Sequence, residues 1–339
     1  MKAVRIHEHG GFEVLRIDEL PVPEPSTGQV CIQLKTSALN HLDIWIRNGI
    51  PGVPLPLIMG SDGAGKIYKL GVQANKFKIG DSVIIQPLVY CGECRSCQSG
   101  NENLCANMGI RGESTDGTNC EFIVLDEKCV ELKPENITFA EAAAFPLVGQ
   151  TAYQMLINRA KIKPGENILV WGAGSGVGHM AVQIAKISGC NVIATVGSDE
   201  KCAFANELGA DLVVNHYNDN VADKVKTFCG KVDVVFEHVG SATWAISMHV
   251  LAKGGRVVTC GATTGPNATI DLRHLFFKQQ SVLGSTMGSK SAFEGAFALL
   301  SEGKINPVVD RIFPISEIQS AHEYLESGEQ FGKVVLSYE

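Results

Sequence analysis

The chain has 339 residues, 45% of them hydrophobic and 19% charged, with a formal net charge of −7. That length accommodates two domains and a large buried core. It carries no basic tract of the kind nucleic acid requires, and no apolar run reaches membrane-spanning length.

Met1-Lys2-Ala3-Val4-Arg5 opens a strand-like segment rather than a signal peptide. Residues 1–90 are strand-rich: Val30–Lys35 alternates in part, and Ser82-Val83-Ile84-Ile85 is a short apolar run. Pro21, Pro23, Pro25, Gly28, Pro51, Pro54 and Pro56 interrupt this region, which predicts a small, irregular β-barrel. Residues 91–120 form a loop-rich excursion. A helix begins at Ala140–Ala144, near Pro146, and continues over Thr151–Ala160. Lys163-Pro164-Gly165-Glu166 reads as a boundary turn.

From Ile168 the pattern changes. A strand, Ile168–Trp171, leads into a glycine turn, Gly172–Gly178, then a helical run, Met180–Ile187, then a strand, Val192–Val196. This is one right-handed βαβ unit. Further strands are expected at Leu212–Val214, Val232–Phe236, Arg256–Cys260 and Ser281–Gly284, with helices over Val221–Phe228 and Ala242–Leu251. Such alternation predicts a doubly wound parallel sheet. The tail has helices at Ser291–Glu302 and Glu317–Ser327 and a last strand, Lys333–Leu336, expected to return to the first domain.

Gly176-x-Gly178-x-x-Ala181 fits the dinucleotide-binding fingerprint. Glycine lets the backbone approach a pyrophosphate, and the helix start offers free N–H groups and a positive dipole end. Gly174, Ser175, Gly176, Val177 and Gly178 are therefore candidate cofactor-binding residues; a flexible turn is the alternative. Four of the eleven cysteines form Cys91-x-x-Cys94-x-x-Cys97 followed by Cys105. This spacing suits a closed, structural tetrathiolate Zn²⁺ site, with an iron–sulfur cluster as the alternative. The other seven are scattered, which argues against a disulfide framework and for a reducing cytoplasm.

These blocks, with Ala38-Leu39-Asn40-His41-Leu42-Asp43 and Gly60-Ser61-Asp62-Gly63-Ala64-Gly65, resemble the medium-chain dehydrogenase/reductase superfamily. Its members include the zinc alcohol dehydrogenases and the quinone reductases. The resemblance implies a GroES-like β-barrel catalytic domain over residues 1–148 and 287–339, carrying the zinc lobe at 91–105. It implies a Rossmann nucleotide-binding domain over residues 149–286 and an active site in the cleft between the two. It also implies a homodimer, or a homotetramer, joined through the strand Ser281–Gly284.

By alignment of the blocks, the catalytic-zinc ligand positions of the alcohol dehydrogenases fall on Asn40, on Ser61 followed by Asp62, and at or beside Leu147. The proton-relay position falls on Leu42. An amide, a hydroxyl and an isobutyl group make no ordinary zinc site. The chain thus resembles a hybrid, with an alcohol-dehydrogenase structural zinc and a quinone-reductase active site lacking catalytic metal. Unfamiliar metal binding by His41, Asp43 and Asp62 is the alternative. Asn40 is the expected hydrogen-bond donor. Asp43 and Asp62 are expected in the site wall, pairing with a base such as Arg47. Trp45 is expected to line the pocket or to pack in the core.

An NAD site places a carboxylate at the end of the second strand. Here Val196 and Gly197 occupy that place, and Ser198 and Lys201 follow, as in the NADP-type quinone reductases. NADP(H) is therefore favoured over NAD(H), although Ser198 has a second reading as a helix cap and Asp199 lies nearby. Gly261, Thr263, Gly284 and Ser285 are expected beside the nicotinamide. The expected activity is reduction of a quinone or conjugated carbonyl compound, a small-molecule substrate, with no nucleic-acid or membrane partner. An alcohol or aldehyde dehydrogenase and a non-enzymatic NADPH-binding protein are the alternatives.

Overall fold

The computed structural model describes residues 1–338. It divides into two compact units, Met1–Leu147 with Asn306–Glu339, and Val148–Ile305.

The first unit is a β-barrel fold. Its main sheet runs in the order Val130–Leu132, Ser82–Ile85, Asp62–Leu70, Gln29–Ala38, Lys333–Ser337 and Val309–Pro314, and Phe122–Asp126 also pairs with Gln29–Ala38. The long strand Gln29–Ala38 slips register twice against Asp62–Leu70, between Cys31 and Ile32 and between Leu34 and Thr36. Such bulges bend a strand and let a sheet curl. Gly65 sits at the bend because a Cβ there would stand 2.2 Å from the Gln33 carbonyl oxygen. Val30, Ile32, Leu34, Ile67 and Val83 fill one side of the barrel. The final strand pairs antiparallel with Gln29–Ala38, Val335 opposite Ala38, so the tail returns to this sheet. Val309–Pro314 beside it was not legible in advance: Asp310 and Arg311 break its apolar run, and much of it is exposed.

The second unit is a six-stranded parallel sheet. Numbered along the chain within this unit, its strands lie in the order third, second, first, fourth, fifth, sixth. That is the doubly wound order, in which ligands bind where the order reverses, between first and fourth. Those strands are Asn167–Val170 and Val232–Glu237. Both are buried almost throughout, as a sheet covered on both faces requires. The sixth strand, Ser281–Gly284, lies at the sheet edge. The expected helix over Thr151–Ala160 is instead the end of Pro146–Tyr153 followed by a wide π-type turn, Gln154–Arg159.

The division between units falls later than residue 287. Helix Lys290–Ser301 groups with the nucleotide-type unit. Gln150 Nε2 donates to the carbonyls of Gly288 and Ser289, and the Tyr153 ring lies where a Cβ on Gly295 would go. Amphipathic spacing reveals that a helix has a buried face but not which partner covers it. Among the described residues, no helix is long and apolar enough to cross a membrane.

Candidate active site

Three neighbouring strands bring one polar cluster together. Asn40 follows the end of strand Gln29–Ala38, and Asp62 opens the strand on one side, opposite Ala38. Lys333 opens the strand on the other side, two residues before Val335, which also faces Ala38. Lys333 Nζ donates to Asn40 Oδ1 and, at 3.0 Å, to Asp62 Oδ2. Asn40 Nδ2 donates to the same Asp62 oxygen at 2.9 Å, and Asp62 Oδ1 accepts the Leu147 N–H at 2.8 Å. The Lys333 and Asp62 side chains are 2% and 0% exposed. A buried ion pair persists only when its remaining donors and acceptors are satisfied, and breaking it from one side costs roughly 3–5 kcal/mol.

Two polar groups beside this cluster are also buried. Ser61 Oγ is buried without a hydrogen-bond partner. Asp43 Oδ2 accepts the Asn40 N–H at 2.7 Å, which anchors the start of helix His41–Asn48. Burial pushes the Asp43 carboxyl up to about 7, against the opposing pull of the Asn40 N–H and the Lys333 charge.

In the parallel sheet, Gly172 takes φ +59°, and Ser175 caps helix Gly176–Ile187 by accepting the Gly178 N–H on Oγ at 2.9 Å. A Cβ on Gly178 would stand 2.1 Å from the Gly172 carbonyl oxygen, so only glycine permits this turn. Among the described residues, no backbone acceptor takes the Gly176 or Val177 N–H, which leaves two donors at the positive end of a helix dipole. This cradle fits a pyrophosphate. Its neighbour at the strand-order reversal is His238, whose Nε2–H donates to the Trp171 carbonyl at 2.9 Å and lies 3.3 Å from Ser175 Oγ. Burial holds the His238 imidazole below its usual pKa, so it stays neutral there. Glu237 is buried behind it and accepts the N–H groups of His238, Val239 and Gly240 and the Thr243 hydroxyl.

The other nucleotide candidates also follow strand ends. A Cβ on Gly261 would meet the His238 carbonyl at 2.8 Å, and Thr263 Oγ1 donates to that carbonyl at 3.2 Å. Gly284 accepts from Arg159 Nε, Ser285 N–H donates to Thr259, and Ser285 Oγ is buried without a partner. At the end of the second strand Ser198 caps helix Asp199–Glu207, accepting the Lys201 N–H at 3.3 Å. Asp199 Oδ1 is taken by Asn215 Nδ2 at 2.7 Å. The Lys201 charge reaches His216, whose pKa is lowered first by burial and then by that ammonium.

The sulfur atoms of Cys91, Cys94, Cys97 and Cys105 lie within 4.8 Å of one another. Separations of 3.9 Å for Cys91–Cys97, 3.6 Å for Cys94–Cys97 and 3.5 Å for Cys91–Cys105 match the edges of a tetrahedron about Zn²⁺, about 3.8 Å for a Zn–S bond of ~2.3 Å. The Cys97 N–H holds the Cys94 thiol down at about 6, while burial pushes Cys97 up to about 12.

Two family models match the chain: an alcohol dehydrogenase GroES-like domain over residues 26–135 and a zinc-binding dehydrogenase domain over residues 176–302. The chain belongs to the medium-chain dehydrogenase/reductase superfamily. It is 31% identical over 355 residues to crotonyl-CoA carboxylase/reductase of Cereibacter sphaeroides, covering 94% of this chain and 83% of that protein. It is 31% identical over 350 residues to quinone oxidoreductase of Homo sapiens, covering 99% and 97%. A crystal structure of an NAD-dependent alcohol dehydrogenase superposes with a TM-score of 0.97 at 42% identity, covering 100% of both chains. Membership makes the chain one of an NAD(P)-dependent oxidoreductase family, and its cysteine lobe fits that family's structural zinc.

Within this superfamily frame, one expected pairing is wrong. Arg47 does not meet Asp43 or Asp62. Its Nη2 donates to Glu326 at 2.7 Å, its guanidinium lies over Phe12, and Nη1 is 3.5 Å from His322 Nδ1. Asp62 takes Lys333 instead. Trp45 is 37% exposed and edge-on to His41, so it is no core residue. Sequence reasoning missed Lys333 and His238. A lysine heading an otherwise buried apolar strand was the available signal for the first; the second had none.

Proposed function

We propose that the chain is an NADPH-dependent reductase of quinones or conjugated carbonyl compounds, with one structural zinc per subunit. The observation that carries this reading is the Asn40–Asp62–Lys333 cluster. The Asn40 amide, held by the Lys333 ammonium, stands where the resemblance puts the first catalytic-zinc ligand, and Ser61 and Leu147 stand at the others. These residues do not fit an ordinary catalytic zinc site.

The nicotinamide, when bound, supplies the hydride. Hydride addition to the β-carbon of an enone shifts the C=C electron pair, and negative charge develops on the carbonyl oxygen. The Asn40 amide N–H donates a hydrogen bond to that oxygen, and a solvent proton then adds at the α-carbon. Alcohol oxidation needs a hydroxyl deprotonated first, which zinc achieves by lowering its pKa and an amide does not. The names of two relatives, a crotonyl-CoA reductase and a quinone oxidoreductase, support a conjugated acceptor.

Preference for NADPH is supported by the absence of a carboxylate at Val196–Gly197, by Asn215 holding Asp199, and by the Lys201 ammonium beside His216. A homodimer is supported by the edge strand Ser281–Gly284 and by Phe276 and Phe277, 70% and 73% exposed in the preceding helix. The seven cysteines outside the zinc lobe, none in a disulfide among the described residues, support a cytoplasmic setting.

A second reading, an alcohol dehydrogenase, is favoured by the likeness to the NAD-dependent alcohol dehydrogenase at 42% identity. NADPH oxidation measured across enones, quinones, aldehydes and ketones separates the two. Faster turnover of enones or quinones is expected, with Asn40→Ala lowering kcat by about 10²–10³-fold at nearly unchanged NADPH affinity. Rapid ethanol or benzyl alcohol oxidation that a chelator abolishes would establish the second reading. Cofactor binding with no turnover would leave a non-enzymatic NADPH-binding protein.

A further inference from the structure

The Asn40 amide is held from both ends by groups of opposite hydrogen-bonding character. Lys333 has donors only, so the atom facing it must be Oδ1. Asp62 has acceptors only, so the atom facing it must be Nδ2. A flipped amide would set N–H against ammonium and oxygen against carboxylate. Asn40 Nδ2 carries two hydrogens, and Asp62 takes one; among the described residues no other acceptor binds the second. The cluster therefore holds a buried, oriented amide with one N–H uncommitted. The Lys333 ammonium also draws electron density through Oδ1, and such chains strengthen the far donor.

We propose that Lys333 is a positioning residue for the reduction. Its ammonium sets the orientation of the Asn40 amide and sharpens the uncommitted N–H that meets the substrate oxygen. This rests on the enone or quinone reductase reading above. Asp62 is the counter-charge that lets a cation sit at this depth, and the Leu147 N–H completes that carboxylate. Lys333 itself touches neither substrate nor hydride; it acts through Asn40.

Removing Lys333 alone strands Asp62, so Lys333→Met is compared with the neutral pair Lys333→Met/Asp62→Asn, and with Lys333→Arg. Folding is checked by thermal melting, and NADPH dissociation constants by fluorescence. With an enone or quinone that the wild type reduces, the neutral pair should lower kcat roughly tenfold to a hundredfold, below the full loss of a donor. NADPH affinity should stay within about twofold, and Lys333→Arg should recover most of the rate. Adding Asn40→Ser to the neutral pair should lower kcat no further than Asn40→Ser alone does, less than the product of the two losses, because both changes act through the same oriented donor. An unchanged kcat in a folded neutral pair, a loss confined to NADPH affinity, or losses that multiply independently with Asn40→Ser would each overturn the proposal. A wild type that reduces no enone or quinone fails the parent reading instead, before any variant is compared.

Discussion

Cys97→Ser separates the lobe's role from the chemistry. Its thiol is one of four aimed at a common point, and it is buried. Structural zinc sites contribute an apparent ~10–16 kcal/mol at neutral pH. If four thiolates share that evenly, losing one weakens binding by about 2.5–4 kcal/mol, or ~10²–10³-fold. Little else orders the lobe. Its helical segments are two single turns, Arg95–Gln98 and Glu102–Leu104, and Leu104, the one large aliphatic side chain between Cys91 and Cys105, is 68% exposed. Fixing each residue of such a loop costs about 1–2 kcal/mol of chain entropy, which this packing does not offset. Dialysis against a chelator, followed by elemental analysis, should leave one zinc per chain in the wild type and almost none in the variant. Limited proteolysis should then cut between residues 91 and 105, while turnover per folded molecule stays within a few-fold. Two firmly held zincs in the wild type would refute the assignment of Asn40, Ser61 and Leu147 to a site without catalytic zinc. A variant that keeps its zinc but loses turnover would refute the separation of lobe from chemistry.

Lys201→Ala should weaken NADPH about fivefold or more while leaving NADH nearly unchanged, since a partly exposed charge pair contributes roughly 1 kcal/mol; equal losses in cofactor titrations would remove Lys201 from the phosphate site. Two buried groups should tilt stability in opposite directions with pH. Burial and the Arg47 charge push His322 down to about 3 from 6.5. The unfolded chain thus binds the extra proton below pH 6.5, and this contribution, full above 6.5, is lost as pH falls toward 3, by up to ~1.4 kcal/mol per pH unit. Asp43, raised from 3.8 to about 7, contributes fully below 3.8 and loses that contribution as pH rises through 7. Urea midpoints between pH 4.5 and 6.5 should therefore drop more steeply with acid for Asp43→Asn than for the wild type, and less steeply for His322→Gln; parallel curves would refute both assignments. Sedimentation should give a dimer at micromolar concentration, and a charged residue at Val282 on the edge strand should shift it toward monomer; a wild-type monomer would contradict the interface.

The features legible in the sequence are those whose signal is local. The glycine turn at 172–178, the thiols at 91–105 and the alternation of strands and helices each lie within one window of chain. The structure keeps all three. Asn40 and Asp62 were also legible, because each sits in a short block beside a strand end. What joins them was not. Lys333 lies 293 residues from Asn40 and 271 from Asp62, and only the order of three strands brings it to them.

Arg47 shows the same limit from the other side. It stands one helical turn from Asp43, where an i,i+4 ion pair would be a fair expectation. Asp43 is instead turned to the Asn40 N–H at the helix start, and Arg47 reaches Glu326 near the far end of the chain. A charge inside a fold goes to whichever partner the topology brings within reach, because burial makes an unpaired charge far costlier than a long loop. The positions of the polar residues in the chain therefore show where chemistry can occur. The strand order decides which of them share it, and here it delivers a lysine to the residue that the resemblance aligns with a zinc ligand of the alcohol dehydrogenases.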